Sequence, residues 1–159
     1  MIVAYDRFSA VNYALDWALK RNPNYYDFES LGGDCTNFAS QCVYAGAKTM
    51  NYTANLGWFY KNLNNRVPAW TGVDFFLKFL INNSGPGPFG KVVQLSDIDV
   101  GDVIFLGRNN LDFYHTVIVS KIEFDDVFIC CHTRDARNKS LFEYSFQQIK
   151  PIHIIGVRK

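Results

Sequence analysis

One cysteine of this chain stands at a position that favours nucleophilic chemistry. Cys35 follows Gly32-Gly33-Asp34, at the predicted first turn of a helix. Unpaired main-chain N–H groups and the helix dipole favour negative charge there, which predicts a lowered pKa for the thiol. The same N–H groups suit the oxyanion of a tetrahedral intermediate. The alternative for this position alone is a small buried residue at a helix start, because free cysteines are often core residues.

His115 is the candidate base. It begins a predicted strand in which the alternation of period two puts His115, Val117 and Val119 on one face. This more apolar face is expected to pack on the helices, which would bring the imidazole within reach of Cys35. A Cys–His pair is the minimum for thiolate catalysis. The alternative is a strand-end histidine that is hydrogen-bonded to a loop.

A third residue is expected to orient the imidazole of His115 by a hydrogen bond. His132 is the candidate, because it closes the strand that follows. Asp135 and Asn138, just downstream, are the alternatives for this role.

The assignment of His132 depends on strand register. If a four-residue loop, 123–126, joins the two strands, Ile122 pairs with Val127 and His132 falls opposite Val117. The histidine then shares the face of the candidate base. A three-residue loop would turn it to the other face.

Composition limits the class of protein. The chain has 159 residues, of which 48% are hydrophobic and 19% charged, so one folded domain over residues 1–159 is expected. The net charge of +1 and the mixed charge pattern give no support for nucleic-acid or membrane binding. For the oligomeric state, we expect a monomer. The start of the chain lacks a signal-peptide pattern. This chain by itself is expected to be cytoplasmic. If it is a fragment of a larger protein, that protein is expected to be secreted or associated with the cell wall.

The four cysteines favour neither a disulfide scaffold nor a zinc site. Cys35 and Cys42 are seven residues apart, and Cys130 and Cys131 are adjacent, so the usual ligand spacings of zinc are missing. All four are expected to be reduced, with the two adjacent cysteines on opposite faces of a strand. No metal or organic cofactor is expected.

The predicted elements are helices followed by strands. Helices are expected over Arg7–Lys20 with Asp6 as N-cap, from Cys35 to about Ala45 with Gly46 as the stop, and over Gly72–Ile81 with Thr71 as cap. Strands are expected over 91–95, 102–106, 115–122, 127–133 and 152–158. This order predicts an α+β fold in which N-terminal helices pack on an antiparallel sheet of about five strands.

Read together, these residues resemble a known family. The run GGDCTNFASQC over 32–42 is similar to the signature of the putative amidase-domain family, which looks like a branch of the papain-fold hydrolases that includes NlpC-type and CHAP cell-wall peptidases. Further matches keep the family's order along almost the whole chain: Tyr5-Asp6-Arg7, Ala10-Val11, Tyr13-Ala14, Arg21-Asn22-Pro23, Trp58-Phe59-Tyr60, Trp70-Thr71-Gly72-Val73, Gly101-Asp102-Val103 and His115-Thr116-Val117-Ile118-Val119.

The resemblance implies a papain-like triad. By position Cys35 is the nucleophile, His115 the general base and His132 the third member. Asp34, which precedes the nucleophile, is interpreted as a helix cap. The candidate substrate contacts are Asp34 and three aromatic residues for which core packing is the alternative: Trp58, Tyr60 and Trp70.

The function predicted from this resemblance is hydrolysis of an amide bond through a thioester. A peptide, such as a peptidoglycan stem or cross-bridge, is the expected substrate by family analogy. Two other classes stay open. One is a papain-fold binding module without turnover, and the other is a cysteine-dependent transamidase or deamidase.

Overall fold

The protein folds as helices packed on a large sheet. The structure is a computed structural model and describes residues 1–109 and 112–159. Its helices are α1 (Arg7–Trp17), α2 (Cys35–Ala47), α3 (Pro68–Thr71) and α4 (Val73–Asn82). Its strands are β1 (Ile2–Val3), β2 (Tyr60–Asn62), β3 (Asn65–Arg66), β4 (Gly87–Val92), β5 (Val103–Asn109), β6 (Asp112–Glu123), β7 (Asp126–Cys131), β8 (Ala136–Ser140) and β9 (Gln148–Arg158). The α+β prediction is confirmed.

The main sheet is antiparallel and has seven strands in the part of the chain that the structure describes. Its order is β1-β9-β5-β6-β7-β8, and β4 pairs with β9. The expected number of about five was too low because β1 and β8 lack a clear strand pattern. β8, for example, reads Ala-Arg-Asn-Lys-Ser and has only one buried residue.

Helices α1, α2 and α4 cover one face of this sheet. Ala10 and Ala14 form the buried stripe of α1, and their small side chains let α1 pack closely on α2. Between α2 and α4 lies an aromatic group, in which the Trp58 ring is 4.8 Å from that of Trp70 and 5.9 Å from that of Phe76. Burial of such large rings contributes strongly to the free energy of folding.

The opposite face of the sheet carries a second core. Strands β5, β6 and β7 contribute its central residues, Ile104, Leu106, Val117, Val119, Ile129 and Cys131. Segments 95–98 and 141–149 cover this face without an α-helix. Cys130 belongs to the first core and Cys131 to the second, which confirms that the adjacent cysteines point to opposite faces. All four cysteines are free thiols.

The structure confirms one predicted helix boundary and corrects another. Asp6 caps α1 as predicted, accepting a hydrogen bond from the main-chain N–H of Ser9 at 3.0 Å. In contrast, Gly46 does not end α2, which continues to Ala47 and closes with Lys48 in the left-handed conformation. A Cβ at Gly46 would lie 2.6 Å from the carbonyl oxygen of Asp6, so this glycine serves close packing rather than termination.

The predicted third helix is divided into α3 and α4. Thr71 ends α3 instead of capping the next helix, and Gly72 holds the N-cap position of α4. No helix within the described ranges is both long and apolar enough to span a membrane.

Candidate active site

Cys35 begins α2 at a tightly shaped turn. Gly32 and Gly33 have φ angles of +92° and +97°, which side chains rarely tolerate. A Cβ at Gly33 would also lie 3.1 Å from Oγ1 of Thr133. The two glycines therefore let the chain enter the helix close to the end of β7.

Asp34 occupies the N-cap position, but its carboxylate makes no capping bond to its own helix. It accepts hydrogen bonds from the main-chain N–H of Phe28 at 2.8 Å and from Nδ2 of Asn37 at 2.9 Å. The side chain is only 1% exposed. Asp34 therefore fixes the turn before Cys35, and its burial argues against the predicted contact with substrate.

The Cys35 thiol lies beside the main chain of β6 at Thr116, the residue after the candidate base. Main-chain N–H groups of Thr116 and Thr36 donate hydrogen bonds that favour the thiolate form of Cys35. The two threonines are joined by a hydrogen bond of 2.9 Å between their Oγ1 atoms. Because Thr116 follows His115, the thiol lies next to the peptide bond that joins these two residues.

A gap in the sheet explains how the thiol reaches this position. The pairing of β6 with β7 begins at Ile118 and Cys130, so the ladder stops before Thr116. Strand N–H groups lie close to the plane of the sheet. Cys35 therefore approaches β6 from the side, where β7 has ended, and not from above the helix-covered face.

Burial controls the ionisation of Cys35. Burial raises the pKa of the thiol, and the hydrogen bonds from Thr116 and Thr36 offset this only in part. The predicted lowering of the pKa at a helix start is therefore wrong for this structure. The thiol is 7% exposed, so loss of water outweighs the helix terminus.

His115 lies on the face of the sheet opposite to the helices. It pairs with Leu106, which belongs to the second core. The prediction that its face packs on the helices is wrong, because Val117 and Val119 are covered by segments 95–98 and 141–149 instead. The Cys35 thiol nevertheless lies beside the main chain of Thr116, the residue that follows His115 in β6.

Burial also governs the imidazole. His115 is 7% exposed, and this burial lowers its pKa to about 4. Its ring lies 6.5 Å from that of Tyr114 and 6.1 Å from that of Tyr144. At neutral pH His115 is therefore uncharged and able to accept a proton. Within residues 1–109 and 112–159 no hydrogen bond joins its ring to the Cys35 thiol.

The structure does not bring His132 to His115. Its Nδ1 lies 2.5 Å from Oδ2 of Asp34, and its Nε2 lies 2.8 Å from the carbonyl oxygen of Trp17. The ring stacks on Phe38 at 4.0 Å. Both nitrogens thus face acceptors, which requires a proton on each nitrogen or one on Asp34. The pair ties the end of β7 to the turn before Cys35.

A bulge explains this placement. Ile122 pairs with Val127 as predicted, although the connection is a tight turn at 124–125. The register then shifts between Val119 and Lys121, so that Ile118 pairs with Cys130. This shift by one residue moves His132 to the helix-covered face and overturns the expectation that it lies opposite Val117.

The two alternative orienting residues also have other partners. Asp135 binds Arg21 through hydrogen bonds of 2.7 and 3.1 Å. Asn138 accepts a hydrogen bond from Ser120 at 2.7 Å. Neither contacts His115, so no polar side chain orients its ring in the described part of the chain.

Trp58, Tyr60 and Trp70 do not line a substrate cleft. Their exposed fractions are 0%, 8% and 0%, and all three belong to the first core. Nε1 of Trp58 donates to Oγ of Ser40, and Nε1 of Trp70 donates to Oδ1 of Asn37, both at 3.0 Å. The three rings thus follow the alternative of core packing: Trp58 packs on Phe76 and Phe79 of α4, whereas Tyr60 and Trp70 pack on Tyr25.

Sequence reasoning missed several residues of the site. Thr36 and Thr116 directly follow the candidate nucleophile and base, so their proximity was available from the sequence. Tyr144 had no local signal, because only the return of the chain after β8 brings its ring to His115. Cys131 approaches the site in the same way, with its Sγ 3.4 Å from the Tyr144 hydroxyl.

A separate cleft lies outside this site. Its volume is about 550 Å³, and loop 51–56 and α4 form most of its wall. Neither Cys35 nor His115 lines it. Among the described residues, no group of three or more His, Cys, Asp or Glu side chains is arranged to hold a metal ion.

The ionisation of His115 predicts a pH-dependent stability. Its pKa is about 4 in the folded chain and about 6.5 when unfolded. The unfolded state therefore binds the proton first as pH falls, and the stabilisation present above pH ~6.5 is lost towards pH ~4. Between about pH 7 and about pH 4 we expect the wild-type free energy of unfolding to fall by about 3 kcal/mol more than that of His115→Gln.

Urea denaturation at several pH values measures this difference. The His115→Gln variant is the internal control for the carboxylates, because they titrate in both proteins. Parallel curves for the two proteins would contradict a buried neutral imidazole at position 115.

Comparison with known proteins identifies the family to which this chain belongs. Residues 4–155 match the model of a family described as "putative amidase domain". The chain belongs to this family. The match covers α1, the turn before Cys35 and the sheet as far as β9, so both candidate catalytic residues lie inside the amidase domain.

Two relatives from Bacillus subtilis (strain 168) share the domain. The uncharacterized protein YhbB is 34% identical over 139 residues, which are 84% of this chain and 43% of YhbB. The uncharacterized protein YjcM is 25% identical over 145 residues, which are 86% of this chain and 33% of YjcM. The amidase domain thus spans less than half of each relative. No solved structure matches this chain significantly.

Proposed function

We propose that this amidase domain is a cysteine-dependent amidohydrolase, with Cys35 as nucleophile and His115 as general base. The observation that supports the proposal is the contact of the Cys35 thiol with the main chain at Thr116, the residue that follows His115 in β6. A thiol and a base on adjacent elements are the minimum for covalent catalysis of acyl transfer. The papain-like triad implied by the resemblance is consistent with the first two members.

The ionisation states favour general-base catalysis over a preformed thiolate–imidazolium pair. The pKa of Cys35 is raised and that of His115 is lowered, so both groups are neutral at rest. The Sγ proton passes to the imidazole as sulfur bonds to the amide carbon and the carbonyl π electrons move to oxygen. Main-chain N–H groups near Cys35 stabilise the oxyanion.

The reaction then follows a double displacement. The carbonyl re-forms, the C–N bond breaks, and the imidazolium gives its proton to the departing amine. Water next attacks the thioester while His115 removes its proton, and the tetrahedral intermediate expels the Cys35 sulfur, which recovers that proton. The net reaction converts one amide and one water into a carboxylic acid and an amine, with no metal or cofactor.

In this proposal His132 and Asp34 have a structural role and do not contact the substrate. Their buried pair holds the turn that begins α2, whose first residue is Cys35. The substrate class that fits the resemblance is a peptide, such as a stem or cross-bridge of peptidoglycan.

Mapping of an acetyl group tests the nucleophile. The native protein is treated with p-nitrophenyl acetate, and the modified residue is identified by peptide mass mapping. We expect one acetyl group on Cys35 that neutral hydroxylamine removes, because a thioester is cleaved more easily than an amide. Cys35→Ala should lose this label, whereas Cys42→Ala, a matched change of a buried thiol in the same helix, should keep it. Equal labelling of wild type and Cys35→Ala would defeat the proposal.

The products separate hydrolysis from the remaining classes. Addition of glycinamide during turnover should yield acetate as the main product if water reaches the thioester. Acetylglycinamide as the main product would identify a transamidase instead. An acetyl group that forms on Cys35 and is never released would identify a domain without turnover.

A further inference from the structure

His115 is held by aromatic rings where a polar partner would be expected. The Tyr114 ring lies 6.5 Å from the imidazole at an interplanar angle of 14°, and the Tyr144 ring lies 6.1 Å away at 38°. Asp135, Asn138 and His132 all bond elsewhere. The orientation of the imidazole thus depends on contacts with these two rings.

Both tyrosines are held in place through their hydroxyl groups. The Tyr114 hydroxyl donates to the carbonyl oxygen of Ser145 at 3.1 Å, which ties β6 to the residue after Tyr144. The Tyr144 hydroxyl lies 3.4 Å from Sγ of Cys131, on the strand beside β6. These contacts make a clamp of Tyr114 and Tyr144 around His115.

A cationic side chain lies over each tyrosine ring of the clamp. Nζ of Lys139 lies 4.5 Å from the centre of the Tyr144 ring, and the guanidinium carbon of Arg108 lies 4.9 Å from that of Tyr114. Arg108 also pairs with Asp112 at 3.3 Å. The neutral thiols of Cys35 and Cys131 are the titratable groups nearer the site. No carboxylate of the described residues contacts the His115 ring.

We propose that Tyr144 is a positioning residue that fixes the ring plane of His115 and shields it from water. The proposal rests on the proposed function, because it assigns to an aromatic ring the role that a third polar residue has in a triad. The ring restricts rotation of the imidazole and replaces solvent on one side.

Two substitutions distinguish the role of the Tyr144 ring from that of its hydroxyl. Tyr144→Phe keeps the ring and removes the contact with Cys131, whereas Tyr144→Leu keeps an apolar side chain but removes the ring. Histidine NMR titration follows the His115 signal, which His115→Gln assigns. We expect a pKa near 4 in wild type and Tyr144→Phe, and a rise towards about 6 in Tyr144→Leu as water enters.

The rate of Cys35 acetylation by p-nitrophenyl acetate provides the second measurement. It should stay within about twofold of wild type in Tyr144→Phe and fall about tenfold in Tyr144→Leu, as loss of a positioned base predicts. Equal changes in both variants would overturn the proposal, because the hydroxyl would then matter rather than the ring. Unchanged titration and rate in Tyr144→Leu would overturn it as well. Failure of wild-type Cys35 to acetylate defeats the proposed function instead, and the titration still tests the contact of Tyr144 with His115.

Discussion

Removal of either Cys35 or His115 is expected to lower the rate of the p-nitrophenolate burst from p-nitrophenyl acetate by about 10³-fold or more. Cys35→Ala removes the atom that forms the thioester. His115→Ala removes the group that accepts its proton, and the raised pKa of the thiol leaves little thiolate at neutral pH to compensate. The burst is followed by absorbance in a stopped-flow instrument.

The double variant gives the sharper result. If Cys35 and His115 act as one unit, Cys35→Ala/His115→Ala should be no slower than either single variant, because the second change removes a group that has already lost its function. Cys42→Ala should keep the wild-type rate. Losses that multiply in the double variant would show that the two residues act independently and would contradict the proposed mechanism.

The pH dependence of the same reaction has a defined shape. Removal of the Cys35 proton needs neutral His115 in the free enzyme. The value of kcat/KM should therefore fall below about pH 4, where the imidazole becomes protonated. A preformed ion pair would instead place the acidic limit at the pKa of the thiol.

Replacement of His132 by alanine is expected to cost about 3–5 kcal/mol of unfolding free energy. The change leaves the Asp34 carboxylate buried without its imidazole partner and removes the stacking on Phe38. Asp34 keeps an ion pair with Arg21 at 3.6 Å and its hydrogen bonds from Phe28 and Asn37, but none of these fills the space of the buried ring. Urea denaturation at neutral pH measures the loss.

His153→Ala is the matched control for this prediction. His153 also pairs with a buried aspartate, since its Nδ1 lies 2.8 Å from Oδ2 of Asp102. However, its side chain is 29% exposed and Asp102 keeps a hydrogen bond of 2.7 Å from Arg7. We therefore expect a loss below about 2 kcal/mol.

Activity distinguishes the two roles that His132 can have. As a structural partner of Asp34, His132→Ala should retain the acetylation rate within about tenfold under conditions where the variant is folded. A loss of about 10²-fold or more without a loss of stability would instead make His132 a member of the catalytic unit.

The helices of the site were largely predictable from local signals. Asp6 caps α1 and Cys35 begins α2 as predicted, because caps and helical periodicity depend on residues close together in the chain. The α+β order followed from the same patterns. β8 escaped prediction because an edge strand with mostly polar residues lacks the alternation of a half-buried one.

Register and burial were not predictable in this way. The bulge between Val119 and Lys121 turns His132 to the other face of the sheet. No residue of β6 indicates this bulge in the sequence. Trp58 and Trp70 were candidates for a substrate cleft, but both are buried in the first core. The pKa of Cys35 likewise depends on how far the rest of the chain excludes water, which a helix-start pattern does not reveal.

The amino-acid sequence by itself determined the membership of the amidase family, the position of Cys35 at a helix start and the position of His115 in a strand, because these depend on neighbouring residues and their spacing. Only the tertiary structure decided that the thiol meets β6 at a gap in the sheet, that His132 binds Asp34 and that Tyr144 contacts His115. Those contacts join segments up to about a hundred residues apart. Their geometry follows from strand register and packing, in which one inserted residue reverses every side chain beyond it.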